Sequence, residues 1–289
     1  MRVSDSPNLK LPRIKYIPKS LRVFTGKLEM RLRSKNNYRD RIRFINWIDS
    51  KSLPGIIPKS RLDIPENIIW QYWHEGLDAA PEIIRICIQS VRKNIGNHSH
   101  IVLSDEDVFN YIGLPEHIKN KWSLINPTKR SNIIRLALLS LYGGVWIDST
   151  CFLTREVPER FINADFFAFS NSSDDRLIRT WFLCGKKNNP IINFWLRMHY
   201  KFYQYYTAPP CYFFFQYMFE NMVTLEGSIR KEWINLKTDN ADLSDRGLIN
   251  SILSLSEKEA YVSMLSRSWI HKLSWRLEPA QTQVFKEII

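Results

Sequence analysis

The stretch from Asn126 to Asp148 constrains this chain most. Asn126-Pro127 is a helix start, with a side-chain acceptor at the cap and Pro in the first turn. The helix runs through Ile133, Ile134, Leu136, Ala137, Leu138, Leu139 and Leu141 to Tyr142. Beyond its first turns it is apolar nearly all round, so it belongs in an interior. Gly143-Gly144 stop it, and Val145-Trp146-Ile147-Asp148 reads as a buried strand that ends in an acid.

Similar patterns flank this unit. Ile68–Trp73 follows Pro65 and is rich in β-branched and aromatic residues, which predicts a strand. Pro81 opens a helix from Glu82 to about Asn94, with Ile83, Ile84, Cys87, Ile88 and Val91 as its apolar stripe. His100–Leu103 is a second strand, and Ser104-Asp105-Glu106-Asp107 a capping-type start to a helix over Val108–Ile112. Asp165–Ser170 and Trp181–Cys184 are short strands. Pro190 opens an aromatic-rich helix to about Tyr206, residues 211–260 read as mostly helical, and Ser268–Trp275 is a last strand or extended segment. Strand and helix alternate in the first half, so the expected fold is α/β, a parallel or mixed sheet with helices on both faces.

Composition narrows the class. With 289 residues, 44% hydrophobic and 24% charged, the chain can bury a sizeable core and is not wholly disordered. Met1–Pro7 has no apolar stretch of the kind that opens a secretory signal, and no run reaches the ~18 apolar residues of a membrane-spanning helix. Cys87, Cys151, Cys184 and Cys211 form no C-x-x-C pair, so buried free thiols in a reducing cytosol are expected.

The net charge of +12 is uneven: residues 1–61 hold 16 Lys+Arg against 4 Asp+Glu, and the other 228 hold 25 of each sign. Residues 1–62 therefore form a basic arm, and the boundary falls at the Pro-punctuated stretch Leu53–Pro58 and Pro65. Tyr38, Ile42, Ile45 and Ile48 recur at helical spacing with Arg39, Arg41 and Arg43 between them. Such a helix either docks its apolar stripe on the body or lies on an anionic membrane surface. No nucleic-acid recognition motif accompanies the charge, so nucleic acid is not an expected partner.

Chemistry is expected beyond the carboxyl ends of the strands, where open α/β sheets bind ligands. Asp148 ends a buried apolar strand, and a carboxylate there is costly unless it is used or paired. Lys129, Arg130, Ser131, Asn132 and Arg135 crowd the first turns of the preceding helix, with Asn132 and Arg135 on one face. A helix start with cations nearby suits phosphates or sugar hydroxyls. A merely solvated basic turn fits Lys129 and Arg130, but not Arg135 in a buried helix.

Several ordered segments resemble the capsular polysaccharide synthesis protein family, which is close to glycosyltransferase family 32. They are Ile64–Trp73, Lys129–Leu136 and Gly143–Thr150, continued by Ala164–Ser170, Trp181-Phe182 and Ile270-His271-Lys272-Leu273. The resemblance covers about 64–275. It implies a GT-A (Rossmann-like) glycosyltransferase domain over 63–289, with a largely helical C-terminal portion. The implied activity is a hexosyltransferase-type transfer from a nucleotide-sugar donor, a UDP-sugar by preference. The implied acceptor is a growing capsular or lipid-linked glycan at the inner membrane face. Trp70, Gln71, Tyr72 and Trp73 would hold the nucleotide base. Ser131, Asn132 and Arg135 would face the donor sugar and ribose, with Asp148, Arg135 and Asn132 as the catalytic set. Lys272 would meet the diphosphate, and Asp148, Thr150 and His271 would hold Mn²⁺ or Mg²⁺.

This chain departs from the family pattern in three places. Ser131-Asn132 stands where Ser-Asp is usual, Asp148-Ser149-Thr150 replaces Asp-x-Asp, and Cys211 and Gln216 stand where an Asp and a His are frequent. One carboxylate and one hydroxyl make a poor site for a hard cation. Either His271, the diphosphate and water complete a metal shell, or Lys272 and Arg residues replace the metal. The Tyr and Trp residues of 195–219 either form a sugar platform or pack the core. Asp174-Asp175 is the spare acidic pair for a general base, or a solvated loop. The other functional class is a non-catalytic glycan- or nucleotide-binding scaffold with a decayed metal motif.

Overall fold

The computed structural model describes residues 53–56, 64–65, 67–170, 177–209, 213–236, 262–263 and 265–288. In chain order the elements are β1 Ile68–Tyr72, α1 Glu82–Lys93, β2 Ser99–Leu103, α2 Val108–Tyr111, α3 Glu116–Lys119, α4 Pro127–Leu141, β3 Gly144–Ile147 and β4 Cys151–Leu153. They continue with α5 Glu159–Ile162, β5 Phe166–Ser170, β6 Ile178–Gly185, α6 Pro190–Tyr205, α7 Phe214–Leu225, α8 Gly227–Asn235, β7 Ile270–Lys272 and α9 Pro279–Ile288.

The main sheet has the order β2-β1-β3-β6-β5, with β1 parallel to both β2 and β3 and β6 antiparallel to both β3 and β5. A two-stranded antiparallel sheet joins β4 to β7. This is the expected mixed α/β sheet with helices on both faces. The chain leaves β1 for β2 on one side and returns through α4 to β3 on the other. The carboxyl ends of β1 and β3 therefore flank a topological switch point, where an open sheet leaves a crevice.

Strand alternation divides the interior. Trp70 and Tyr72 of β1 and Trp146 of β3 face α4, α6 and α7 in the largest apolar cluster. Ile69, Val145 and Ile147 face the other way. A third cluster joins α1 to Phe152 of β4, Leu273 and Phe285 of α9. Full burial of one large apolar side chain is worth about 1.5–3 kcal/mol, and Trp70, Trp146 and Trp195 are each at most 1% exposed.

α4 is capped as its sequence predicts: Asn126 accepts from the Thr128 N–H, and Pro127 is the first helical residue. Asn132 through Ser140 are all buried, so the helix runs through the interior. Its exit depends on two glycines. Gly143 has φ +74 and Gly144 φ +93, and a Cβ on Gly144 would lie 2.4 Å from the Ile68 carbonyl oxygen. That close approach seats β3 beside β1. Asn189 caps α6 in the same way, accepting from Ile191 and Ile192 N–H.

Leu53 and Ile56 pack against the largest cluster, and the Arg197 side chain donates to the Pro54 and Leu53 carbonyls at 3.1 Å each. The basic helix expected around Tyr38–Ile48, Asp174-Asp175 and Cys211 lie outside the described residues. Cys87, Cys151 and Cys184 are buried free thiols. Among the described residues no helix is long and apolar enough to cross a membrane.

Candidate active site

Asp148 sits at the carboxyl end of β3, its backbone N–H still bonded to the Trp181 carbonyl of β6 at 2.8 Å. Two residues earlier on the same strand face, the Trp146 indole donates to Asp148 Oδ1 at 2.8 Å. From α4, Arg135 Nη2 donates to the same oxygen at 3.0 Å. From β7, Lys272 Nζ donates to Asp148 Oδ2 at 2.9 Å and also bonds Thr150 Oγ1. Side chains from three elements, β3, α4 and β7, thus meet at one carboxylate whose side chain is 23% exposed.

The Arg135 guanidinium is itself fixed. It donates to the Thr180 carbonyl and to Ser131 O, and it lies 4.9 Å from the Trp146 ring centroid and 5.3 Å from that of Phe215. Such cation–π contacts gain strength when desolvated, and Arg135 is 4% exposed. Lys272 reaches the cluster because β4 pairs β7 with Cys151 opposite Lys272, and Leu273 N–H bonds the Thr150 carbonyl. Burial pushes the Asp148 carboxyl up. The Lys272 and Arg135 charges, with the bonds from Lys272 and Trp146, outweigh burial and hold the group at about 2. The cluster thus sets one carboxylate between a guanidinium and an ammonium at the carboxyl end of β3.

His271 does not join it. Strand alternation turns His271 away from Lys272, and it is fully buried. Its Nε2 faces the Leu265 and Ser268 carbonyls at 2.9 and 3.0 Å. Carbonyls only accept, so Nε2 is the protonated nitrogen. The expected set Asp148, Thr150 and His271 is thus corrected: the first two meet at Lys272, and the third is a core residue. Among the described residues no three His, Cys, Asp or Glu side chains gather. The Asp148 carboxylate oxygens and the Thr150 hydroxyl, which the motif would offer a divalent cation, already accept from Lys272, Arg135 or Trp146. A dication between Asp148 and Thr150 would have to displace the ammonium there, so these residues do not fit such an ion.

The β1 residues expected to touch a base are also corrected in part. Trp70 is fully buried, with its indole donating to the Gly143 carbonyl at 3.0 Å. Gln71 is fully buried too, held by His100 at 2.9 Å and reaching the Asp148 carbonyl at 3.4 Å. Both are supports beneath the crevice, because a strand interior presents its side chains to the layers above and below. Tyr72 is 5% exposed and donates to Asp105 at 2.7 Å. Trp73 is half-buried at the strand end, its ring 5.4 Å from that of His74. Ser131 donates to the Thr128 carbonyl at 2.8 Å, and Asn132 is buried one residue on. The aromatics of α6 and α7 pack the core: Trp195 stacks on Phe215 at 4.1 Å, and Tyr200 and Tyr203 are buried. Gln216 bonds Thr180 Oγ1 at 3.3 Å.

Sequence reasoning missed a second cluster at the ends of β1 and β2. Arg130 pairs with Asp105, which also accepts from Tyr72, and its guanidinium lies 5.5 Å from the Trp122 ring. Arg130 was expected to be solvated, yet its side chain is 13% exposed. Trp146 was legible, since residues two apart on a strand share a face. Thr180 was not, because its place depends on the β3–β6 register.

The profile of the family described as "Capsular polysaccharide synthesis protein" matches residues 58–288. The chain therefore belongs to that family, a glycosyltransferase-like one. It is similar to the O-glycosyltransferase braB of Annulohypoxylon truncatum, 27% identical over 152 residues, which are 45% of this chain and 36% of that protein. It is also similar to the O-glycosyltransferase PaGT of Phomopsis amygdali, 26% identical over 151 residues, 45% of this chain and 37% of that one. The matched stretches thus span little more than a third of those relatives. A solved structure, PaToxG Glycosyltransferase, aligns over 90% of this chain and 97% of its own at 14% identity and TM-score 0.40.

Proposed function

We propose that this chain is a nucleotide-sugar-dependent glycosyltransferase of the GT-A type, moving a hexose onto a capsular or lipid-linked cell-surface glycan. One observation carries the reading: a carboxylate at the switch-point crevice, clamped between Arg135 and Lys272. Membership of the family supports it, as does the mixed sheet with its acid-terminated third strand.

The residues suit the chemistry. In the transfer, the bond from the sugar's anomeric carbon to the diphosphate oxygen breaks and its electron pair leaves with the diphosphate. A bond forms from the acceptor oxygen to that carbon, and the acceptor proton ends on the diphosphate or in solvent. The sugar becomes oxocarbenium-like, so the leaving group gains charge that fixed cations offset. Lys272 is the cation nearest the crevice. Arg135 and Asp148 are positioning residues here, since Arg135 is committed to carbonyls and the carboxylate, and Asp148 orients the ammonium. Trp73 at the end of β1 flanks the crevice where the base would lie. The basic arm would hold the enzyme at an anionic inner membrane face.

The test is a panel of nucleotide sugars incubated with the full chain, with release of free nucleotide as the readout. One donor should be consumed, and Lys272→Met should slow its consumption by about 10²-fold or more, the scale of losing one charge stabiliser. Turnover of no donor, or equal turnover by the variant, contradicts the assignment.

A further inference from the structure

We infer that Lys272 takes the place of the divalent cation, so that this crevice binds a diphosphate without metal. The inference rests on the glycosyltransferase reading of the same site. A cation-binding Asp-x-Asp motif places its ion between the first and third side chains. In this chain the third is Thr150, and the Lys272 ammonium bonds both Asp148 Oδ2 and Thr150 Oγ1. An ammonium is a compact point charge with three donors. Two of those donors are fixed by protein oxygens, and the third is left for a phosphate.

The position is built rather than incidental. The β4–β7 pairing sets Lys272 opposite Cys151, and the Leu273 N–H anchors the next residue to the Thr150 carbonyl. Lys272 is 12% exposed, so its charge is held at the crevice wall and not lost to bulk water. The charges agree. A dication beside Asp148 would meet the Lys272 ammonium and the Arg135 guanidinium at contact distance, where like charges repel. A diphosphate meets the same two cations with attraction.

The experiment uses the full chain and two simple probes, inorganic pyrophosphate and Mn²⁺. Calorimetric titration with pyrophosphate in EDTA should give saturable binding. Lys272→Met should weaken it about ten- to a hundredfold, the range for one hydrogen bond to a charged group, and Lys272→Arg should keep most of it. Electron paramagnetic resonance of Mn²⁺ added to the wild-type chain should show no stoichiometric site, a readout that needs no variant. The inference is overturned by pyrophosphate binding that requires Mn²⁺ or Mg²⁺, by no pyrophosphate binding under any condition, or by a stoichiometric Mn²⁺ site that Asp148→Asn removes. The two proposals fail separately. Sugar turnover that stops in EDTA refutes the metal-free site and leaves the transferase, whereas metal-free pyrophosphate binding with no turnover of any donor does the reverse.

Discussion

Asp148→Asn removes the one negative charge between Arg135 and Lys272 while keeping the shape of the side chain. The carboxyl is held at about 2 against an ordinary 3.8. At about 1.4 kcal/mol per pKa unit, that difference corresponds to about 2–3 kcal/mol of folding stability at neutral pH. Breaking a fully buried pair costs about 3–5 kcal/mol because it strands the partner charges. Asp148 is 23% exposed, so water relieves part of that cost and about 2–3 kcal/mol is expected. For a chain of this size the melting temperature should fall by roughly 5–10 °C. The sign with pH is fixed. A carboxyl depressed in the folded state stabilises fully above its unfolded value near 4, and the contribution is lost as pH falls toward 2. Thermal unfolding of wild type and variant between about pH 7 and pH 3 measures it. The gap should be full at neutral pH and should narrow below about pH 4. Equal melting temperatures at neutral pH, or a gap that ignores pH, would refute the account of Asp148 as the charge centre.

Other consequences are equally concrete. Burial holds His100 and His199 at about 4. The unfolded chain therefore binds protons first, and stability should rise from about pH 4 to pH 6.5; His100→Gln should flatten that rise, and an unchanged slope counts against it. Gly144→Ala sets a Cβ against the Ile68 carbonyl at a positive φ and should cost about 3 kcal/mol or more, read as loss of soluble folded protein; wild-type melting would refute the β1–β3 packing argument. Trp70→Phe loses the bond to the Gly143 carbonyl and should cost about 1–3 kcal/mol while leaving nucleotide binding unchanged; a binding defect at full stability would return Trp70 to the crevice.

The architecture was legible because its signals are local. Asn126-Pro127, Gly143-Gly144 and Asn189-Pro190 mark helix ends through the backbone alone, and the apolar runs between them have the right length. Arg135 and Asp148 were legible for the same reason: a charge inside a buried helix and an acid ending a buried strand both demand partners. Lys272 and Thr150 followed from motif order. His271 and Lys272 stood together as site candidates because a motif does not reveal which of two neighbouring residues faces the cleft; the β4–β7 register decides that. The family resemblance placed Trp70 and Gln71 in the site, but a matched strand does not reveal which of its residues the covering layers bury, and both are buried. The Tyr72–Asp105–Arg130 cluster joins residues from three elements, and nothing in the linear spacing brings Asp105 to Arg130.

The central claim is that the Asp148–Arg135–Lys272 cluster lines a donor-diphosphate site. The most direct test is a thermal-shift panel of UDP, GDP, CDP, CMP and TDP on the wild-type chain and on Lys272→Met. One nucleotide at ~100 times its dissociation constant should add about 2.7 kcal/mol, roughly 5–10 °C here, and the variant should lose most of that shift. No shift with any nucleotide would mean that the cluster is a structural ion network and that the crevice is no donor site.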